Sequence, residues 1–251
     1  MKILAITQAR YGSTRLPAKI LKEVNGKTLL EIHLERILLS KKITKLKVAT
    51  TNEEGAVKII DIANKLSVET YQGSVEDVLD RFYQTAKPES PDYVVRLTSD
   101  CPLIDPEVID FVIQKCIDSG CDYASNVLSP TFPDGMDVEI FKFSALEKAF
   151  KEANLTSDRE HVTPFIWRNS TFKGGQIFKS INVESPVDYS EYRITVDTLD
   201  DFSLVETLIL NLGVDKSFQE YVNYIATHKN VKQINQQYAR NEGYEKSLLK
   251  D

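Results

Sequence analysis

The chain has 251 residues, of which 42% are hydrophobic and 27% are charged. These proportions are ordinary for a globular protein and exclude a disordered or fibrous chain. A formal net charge of −6 excludes a broad positive field for nucleic acid, so an anionic ligand has to be held by a local basic cluster.

The cysteines and the hydropathy pattern bear on the compartment. Cys101, Cys116 and Cys121 form no CxxC pair and are odd in number, which argues against a disulfide framework or a structural zinc site. No stretch approaches the length of a transmembrane helix. We therefore expect a cytoplasmic protein without nucleic-acid or membrane partners.

Short apolar runs alternate with helical periodicity through the first 120 residues. Strands are predicted at 3–6, 46–50, 68–71 and 93–97. Helices are predicted at 29–38, 57–66, 75–85 and after the pair Asp105-Pro106, which is typical of an N-cap followed by the first helical position. This alternation predicts an α/β fold with a mostly parallel, doubly wound sheet.

The pattern changes beyond residue 120. Strands are predicted at 123–125, 138–141, 176–182 and 193–196, and helices at 144–153, 159–167 and 199–212. From residue 217 the chain is polar with scattered apolar residues, which indicates a peripheral helical tail. The middle of this half is expected to form a small mixed α+β subregion that shapes a second substrate pocket.

A basic loop directly follows the first predicted strand. Arg10, Arg15 and Lys19 lie within ten positions, and Gly12 and Ser13 let the backbone approach a ligand closely. Such a loop neutralises a triphosphate and offers N–H donors to its oxygens, although a solvated basic loop is the open alternative. The loop matches neither the Walker motif nor the dinucleotide-binding motif, which disfavours both of those classes.

Two aspartates each follow a predicted strand. Asp100 and Asp197 carry the hard oxygen ligands that Mg²⁺ prefers, and together they are suited to clamp one metal ion or a pair. A turn role for Asp100 stays open. Thr198 and Asp201 have the spacing of a capping box, which makes Asp201 structural in this interpretation.

A second group of polar residues lies where another substrate is expected. It contains Asn126, Asp134, Asp137, Glu139 and His161. Asp137 and Glu139 share a face if Val138 lies in a strand, and the same spacing also fits an exposed strand face. His161 is a candidate to bind this second substrate, with a satisfied structural histidine as the alternative.

Six stretches of the chain resemble the spore-coat polysaccharide biosynthesis protein F family. They are QARYGSTRLP (8–17), GSVEDVLDR (73–81), DCPLID (100–105), FPDG (132–135), REHVTP (159–164) and RNEGY (240–244). More distantly, the basic loop and the segment around Asp197 resemble the Kdo, sialic acid and pseudaminic acid cytidylyltransferases. One departure is Ala18, where relatives commonly have glycine, so a methyl group is expected to restrict the loop slightly.

The resemblance implies a GT-A-like nucleotide-diphospho-sugar transferase fold, CTP as donor, Mg²⁺ as cofactor and a homodimer. It implies one cytidylyltransferase domain over 1–251, with a nucleotide-binding half (1–120), a sugar-binding and candidate dimerisation region (121–215) and the helical tail (216–251). The implied catalytic residues are Arg10, Arg15, Lys19, Asp100 and Asp197. The implied nucleotide-binding residues are Ala9, Arg10, Gly12, Ser13, Arg15, Lys19, Gly73, Ser74 and Asp100, and the implied metal ligands are Asp100 and Asp197.

The expected reaction is transfer of CMP from CTP to a sugar acid of nonulosonate or octulosonate type, for surface polysaccharide or glycan synthesis. Alternatives are another nucleotide, a non-acid sugar or polyol phosphate acceptor, and a GT-A glycosyltransferase, which would need a DxD pair that the expected strand end lacks. A nucleotide-sensing module is disfavoured because the basic loop and both aspartates are intact. Ser74 has two open roles, since it also fits the start of a helix with Asp77 three positions on.

Overall fold

A seven-stranded sheet organises the computed structural model, which describes residues 1–13, 15–240, 242–249 and 251. The described strands are β1 (Ile3–Gln8), β2 (Glu23–Val24), β3 (Lys27–Thr28), β4 (Lys45–Thr51), β5 (Glu69–Gly73), β6 (Tyr93–Thr98), β7 (Tyr123–Ser125), β8 (Glu139–Lys142) and β9 (Ser180–Asn182). The sheet order is β5-β4-β1-β6-β8-β7-β9, in which β8 alone runs antiparallel to its neighbours. The predicted α/β fold with a mostly parallel sheet is confirmed.

Helices cover both faces of this sheet. The described helices are α1 (Leu29–Leu38), α2 (Ala56–Lys65), α3 (Val78–Ala86), α4 (Pro106–Ser119), α5 (Phe143–Glu152), α6 (Thr156–His161), α7 (Pro164–Arg168), α8 (Leu199–Leu212), α9 (Phe218–Thr227), α10 (Lys229–Lys232) and α11 (Glu242–Leu248). Alternate residues of β1 point to opposite faces, so Ile3 and Ala5 pack in one apolar cluster and Leu4 and Ile6 in the other. Burial on both faces explains the continuous apolar run that predicted this strand.

Helix starts follow local capping chemistry. Asp105 accepts a hydrogen bond from the Glu107 N–H and begins α4, and Thr198 with Asp201 forms the capping box of α8, as predicted. The predicted helix over 75–85 begins later, at α3, because Asp77 rather than Ser74 is its N-cap.

Three predicted elements differ from the structure. The strand predicted at 193–196 is absent from the described chain, because its backbone pairs with loops: the Ile194 N–H donates to the Asp134 carbonyl at 2.6 Å and the Val196 N–H to the Asp100 carbonyl at 2.7 Å. The helix predicted at 159–167 is divided into α6 and α7 where Val162 has a φ of 71°. The strand predicted at 176–182 is reduced to β9.

The C-terminal segment is helical but is not peripheral throughout. The helix α9 buries Phe218, Tyr221, Val222 and Ile225 in the core beneath the sheet. Further on, α11 packs against α6 beside the carboxyl edge of the sheet. The polar composition of this segment therefore conceals one core-forming helix and one that borders the site described next.

Candidate functional site

The carboxyl ends of the parallel strands border a cavity of about 770 Å³. Such an edge is where open α/β sheets bind ligands. The predicted residues that line it are Ala9, Arg10, Ser13, Arg15, Lys19, Asp100, Asp134, Asp137, His161 and Asp197. Further lining residues that the sequence interpretation gave no role include Arg81, Arg96, Thr98, Arg193 and Tyr244.

The basic loop reaches the cavity through a short bend after β1. The Ala9 N–H donates to the Ala49 carbonyl at 3.1 Å, which holds the start of the loop against β4. Ala18 has φ 52° and ψ 29°, the left-handed region that glycine adopts without strain, and a single helical turn at Lys19–Leu21 follows. The methyl group at Ala18 therefore does oppose the backbone conformation of the loop.

Lys19 links the two predicted metal ligands. Its Nζ lies 3.1 Å from Oδ2 of Asp100 and 2.7 Å from Oδ1 of Asp197. The guanidinium of Arg15 also reaches Asp197, with its Nη2 3.0 Å from Oδ1. The loop after β1 and the two aspartate segments, which are far apart in sequence, therefore meet at one point.

These ion pairs control the charge of the central groups. Burial alone would raise the pKa of Asp100, but the Lys19 ammonium and the Thr98 hydroxyl outweigh burial and hold that pKa well below its usual range. Burial likewise opposes the charge of Lys19, yet Asp100 and Asp197 together raise the pKa of its ammonium. Asp100 is therefore ionised and Lys19 is protonated, and the two charged groups lie next to each other.

Arg193 joins this centre to the rest of the cavity wall. Its Nε lies 2.9 Å from Oδ1 of Asp201, its Nη2 lies 3.2 Å from Oδ2 of Asp197, and its Nη1 bonds Asp134. The Arg193 side chain is only 9% exposed, and its pKa is raised by these three carboxylates against the opposing effect of burial. This role of Arg193 was not predicted, because residues 193–196 were interpreted only as a strand.

Another part of the cavity wall carries two carboxylates, of which Asp134 is buried and Asp137 is half-buried. Burial and the neighbouring Asp137 raise the pKa of Asp134 to about 7, against the lowering effect of Arg240 and Arg193. Burial also raises the pKa of Asp137, which pairs with Arg240, and Arg240 further donates to the Phe132 carbonyl at 3.1 Å. Arg240 begins RNEGY (240–244), one of the stretches that carry the family resemblance, but no contact or binding role was predicted for it.

Asn126 and Glu139 lie outside the cavity lining. The Asn126 amide donates to the Met136 carbonyl at 2.6 Å and accepts from the Val138 N–H at 2.9 Å. Glu139 is buried against Arg96 and accepts from the Tyr123 hydroxyl at 2.6 Å. Their assignment to the sugar stays a prediction, while the structure shows that both brace the wall behind Asp137.

Gly12, Gly73 and Ser74 also stand behind the lining rather than in it. A Cβ at Gly12 would lie 2.5 Å from Glu53 Oε1, so this glycine permits a close approach of the loop to the β4–α2 connection. The Ser74 hydroxyl accepts from the Glu76 and Asp77 N–H groups, which forms the turn before α3. Their predicted nucleotide contacts stay predictions.

Arg81 places a second guanidinium near Arg10. It is 2% exposed, its Nη1 donates to the Ser74 carbonyl at 2.9 Å, and its Nε has no hydrogen-bond partner among the described residues. Burial and the Arg10 charge lower the pKa of Arg81 to about 10. This arginine closes the stretch GSVEDVLDR, which was the available signal for it.

The C-terminal helix covers the end of the cavity near His161. The Ser247 hydroxyl lies 2.9 Å from His161 Nε2 and 2.9 Å from Glu160 Oε2, and the Tyr244 ring meets the His161 ring edge-on at 5.3 Å. At the end of the chain, the Asp251 carboxylate accepts from the Ser157 N–H at 2.8 Å. The segment expected to be a peripheral tail therefore supplies part of the wall.

The donor set at the centre fits Mg²⁺. Oxygens of Asp100 and Asp197 converge on one cation, the Lys19 ammonium, as they would on a metal ion. Within the described ranges, no group of three or more His, Cys, Asp or Glu side chains is arranged to hold a metal by itself. Mg²⁺ commonly takes one or two carboxylates from a protein and completes its shell with phosphate and water oxygens, so Asp100 and Asp197 are sufficient to hold it.

A mostly parallel sheet with a basic loop and an acidic pair at its carboxyl edge defines a nucleotidyltransferase of the GT-A-like nucleotide-diphospho-sugar transferase fold. The family model for cytidylyltransferases matches residues 4–239, so the chain belongs to the cytidylyltransferase family. Its structure is similar to that of a cytidylyltransferase from Leptospira borgpetersenii serovar Hardjo-bovis, with 35% identity, a TM-score of 0.87, and coverage of 96% of this chain and 100% of that one.

Related sequences agree with this assignment. The chain is 37% identical over 240 residues to an uncharacterised protein of Methanocaldococcus jannaschii, covering 94% of this chain and 95% of that protein. It is 31% identical over 221 residues to the spore coat polysaccharide biosynthesis protein SpsF of Bacillus subtilis, covering 84% and 88%. It is also 33% identical over 116 residues to the 3-deoxy-manno-octulosonate cytidylyltransferase of Trichlorobacter lovleyi, covering 45% and 44%. The predicted membership of the spore-coat protein F family is confirmed.

No helix in the described part of the chain combines the length and the apolar character needed to cross a membrane.

Proposed function

We propose that the protein transfers CMP from CTP to a sugar acid of nonulosonate or octulosonate type, with release of pyrophosphate, in surface polysaccharide or glycan synthesis. The observation that carries this proposal is the junction of Lys19 with Asp100 and Asp197, where a phosphate-binding loop meets a carboxylate pair. The membership of the cytidylyltransferase family supports CTP as the donor.

The cavity has a place for each part of the donor. Arg10, Ser13, Arg15 and Lys19 bind the triphosphate along the loop after β1. The base lies toward Val75, Glu76 and Arg81, which line the wall at the start of α3. This places the α-phosphorus beside Asp100 and Asp197, with the acceptor arriving from the side of Asp134 and His161.

In the reaction, a hydroxyl of the acceptor attacks the α-phosphorus in line. The new bond joins the acceptor oxygen to phosphorus, and the bond to the bridging oxygen of the β-phosphate breaks. Pyrophosphate leaves toward Arg10 and Arg15, and the hydroxyl proton passes to solvent. Mg²⁺ held by Asp100 and Asp197 would neutralise charge on the α-phosphate and lower the pKa of the attacking hydroxyl. The chain itself contributes positioning and fixed positive charge, which are the main sources of catalysis in this kind of transfer.

The acceptor and the assembly are finer parts of the proposal. Partial similarity to the octulosonate cytidylyltransferase of Trichlorobacter lovleyi supports a sugar acid, and similarity to SpsF supports a polysaccharide precursor. We propose a homodimer on the basis of the family resemblance, which light scattering after gel filtration tests directly.

Two measurements test the donor and the acceptor separately. Calorimetric titration of CTP, UTP, ATP and GTP in the presence of Mg²⁺ should show CTP binding at least tenfold more tightly than either purine nucleotide. Pyrophosphate release should then appear with CTP and a panel of octulosonates and nonulosonates, and be absent with matched neutral sugars. Equal affinities for the four nucleotides would overturn the donor assignment, and release with neutral sugars alone would overturn the acceptor class.

A further inference from the structure

Lys19 occupies the position between the two carboxylates on which the proposed metal site depends. The lysine side chain is 13% exposed, and its single ammonium contacts one oxygen of Asp100 and one of Asp197. The short helical turn at Lys19–Leu21 carries it there, and the Lys19 N–H donates to the Leu16 carbonyl at 3.2 Å. The Lys19 ammonium is therefore held in place by the helical turn that carries it and by both carboxylates.

A divalent metal ion that bridges Oδ2 of Asp100 and Oδ1 of Asp197 competes for the space between these oxygens with the Lys19 ammonium, which lies 3.1 Å and 2.7 Å from them. Asp197 also receives Arg15 on Oδ1 and Arg193 on Oδ2, so the pair is neutralised by three side chains of the protein itself. The charge of Lys19 also repels a divalent ion placed between these oxygens, so Lys19 has to move aside for the ion to bind there. The displaced ammonium then needs another anionic partner, because burial of an unpaired charge is costly.

We propose that Lys19 is the resident counter-ion of the Asp100–Asp197 pair, and that the pair accepts a divalent cation only when Lys19 transfers to the triphosphate of the nucleotide. The transfer gives Lys19 a new anionic partner and frees both carboxylates at the same step. Nucleotide and metal then bind with positive coupling, and the coupling is reciprocal because it is a property of the equilibrium. The identity of the triphosphate rests on the proposed function, while the role of Lys19 as counter-ion does not.

The test compares Mn²⁺ binding to nucleotide-free proteins, with free Mn²⁺ followed by electron paramagnetic resonance. Lys19→Met should bind Mn²⁺ at least tenfold more tightly than the wild type, because the competing ammonium is gone. Lys19→Arg keeps a cation and should stay within about threefold of the wild type. Lys22→Met is the matched control. Lys22 is three residues from Lys19, and its Nζ lies over the Phe202 ring, 4.6 Å from the ring centroid. Its replacement should leave the Mn²⁺ affinity unchanged.

A double variant identifies the site. Lys19→Met combined with Asp100→Asn should lose the tight Mn²⁺ binding that Lys19→Met gains. Equal Mn²⁺ affinity in the wild type and Lys19→Met, or tight binding that survives in the double variant, would overturn the proposal and leave Lys19 as a structural ion pair. These titrations contain neither nucleotide nor acceptor, so their outcome is separate from that of the nucleotide panel.

Two further measurements keep the test decisive if Lys19→Met unfolds, which circular dichroism would reveal. Lys19→Gln removes the charge and keeps a polar side chain, and it should show the same gain in Mn²⁺ affinity. In the wild-type chain, saturation with metal-free CTP should shift the Lys19 side-chain ¹⁵N resonance. An unshifted resonance at a CTP concentration that calorimetry shows to be saturating would contradict the transfer.

Discussion

The arginines at the two ends of the cavity differ in their partners. Near α3, the buried Arg81 lies close to Arg10 and has an unpaired Nε, with only the Ser74 carbonyl as its described hydrogen-bond partner. Near the C-terminal segment, Arg193 and Arg240 each contact an aspartate that also lines the cavity. In the proposed function the end near α3 is the nucleotide end, where two neighbouring arginines leave positive charge for a ligand. The end near Arg193 and Arg240 is the proposed acceptor end, where the arginines are already paired with aspartates.

Between these ends, the acidic pair should show the largest effect. Asp100→Asn removes a charged ligand from the centre of the proposed reaction, so turnover should fall by roughly a hundredfold to a thousandfold, as for loss of a main charge-stabilising group. Pyrophosphate release at saturating CTP measures it. Asp188→Asn, at an exposed position, is the control and should keep its activity. If both variants retain a hundredth or less of the wild-type activity, the loss reflects misfolding rather than removal of a metal ligand.

The acceptor end should respond to Arg193→Met mainly through stability. This substitution leaves the fully buried Asp201, together with Asp134 and Asp197, without the guanidinium that neutralises them. Breaking a buried pair by removing one partner costs about 3 kcal/mol, which urea denaturation should detect. Lys232→Met, which removes a surface pair with Glu191 and a contact over the Tyr192 ring, should have a much smaller effect. Equal costs would mean that the Arg193 network is not preorganised.

The nucleotide end should respond to Arg15→Lys through kinetics. A guanidinium on phosphate makes charge-assisted contacts that a lysine reproduces only in part. We expect kcat/KM for CTP to fall by roughly tenfold to a hundredfold, with little change in the free energy of unfolding. A loss below about threefold would remove Arg15 from the triphosphate and weaken the contrast between the two ends.

Beneath the nucleotide end, His33 should impose a pH dependence on stability. It is fully buried, accepts from the Thr7 hydroxyl at 2.8 Å and donates from Nδ1 to the Cys101 carbonyl at 2.8 Å, which assigns the neutral tautomer. Burial lowers the pKa of His33 from 6.5 to about 4, against the opposing effect of the hydrogen bond to Cys101. Because the unfolded chain takes up a proton first, stability is full above pH 6.5 and falls as the pH drops toward 4.

Urea denaturation across this pH range should show that decline in the wild type, and His33→Gln should lack this component. The exposed His228→Gln should keep the decline, which makes it the matched control. Parallel curves for the wild type and His33→Gln would show that His33 is not the group responsible.

The smallest effect is expected at the cover of the acceptor end. Ser247→Ala removes hydrogen bonds to His161 and Glu160 and should lower the free energy of unfolding by about 1 kcal/mol. The affinity for CTP should change less than in Arg15→Lys, because Ser247 itself does not line the cavity. Ser203→Ala, which loses only a bond to the Leu199 carbonyl within α8, is the control. A clear loss of CTP affinity in Ser247→Ala would show that the two ends are coupled.

Much of the fold was predictable because its signals are local. The alternation of apolar runs with helical periodicity indicated β1, β4 and β6 and the intervening helices, since burial on both faces or on one face leaves a regular pattern. Caps at Asp105 and Thr198 depend on residues three positions away or fewer. The strand prediction at 193–196 was wrong because the backbone of this segment bonds to loops, whereas its apolar side chains are buried in the core and give the same pattern as a strand.

The sequence by itself determined the parallel sheet, the basic loop after β1 and Asp100 after β6, because strand ends of a parallel sheet meet at one edge. Asp197 was predicted at the end of a strand that the described part of the chain does not contain, and it reaches the same edge on a loop whose Val196 N–H donates to the Asp100 carbonyl. Only the tertiary structure decided that Lys19 lies between Asp100 and Asp197, and that Arg193 and Arg240 are neutralised by aspartates. Ion pairs between residues far apart in the chain follow from the order of the strands and the path of the loops. They leave no period in the sequence, so charge alone could not tell a ligand-binding arginine from a structural one.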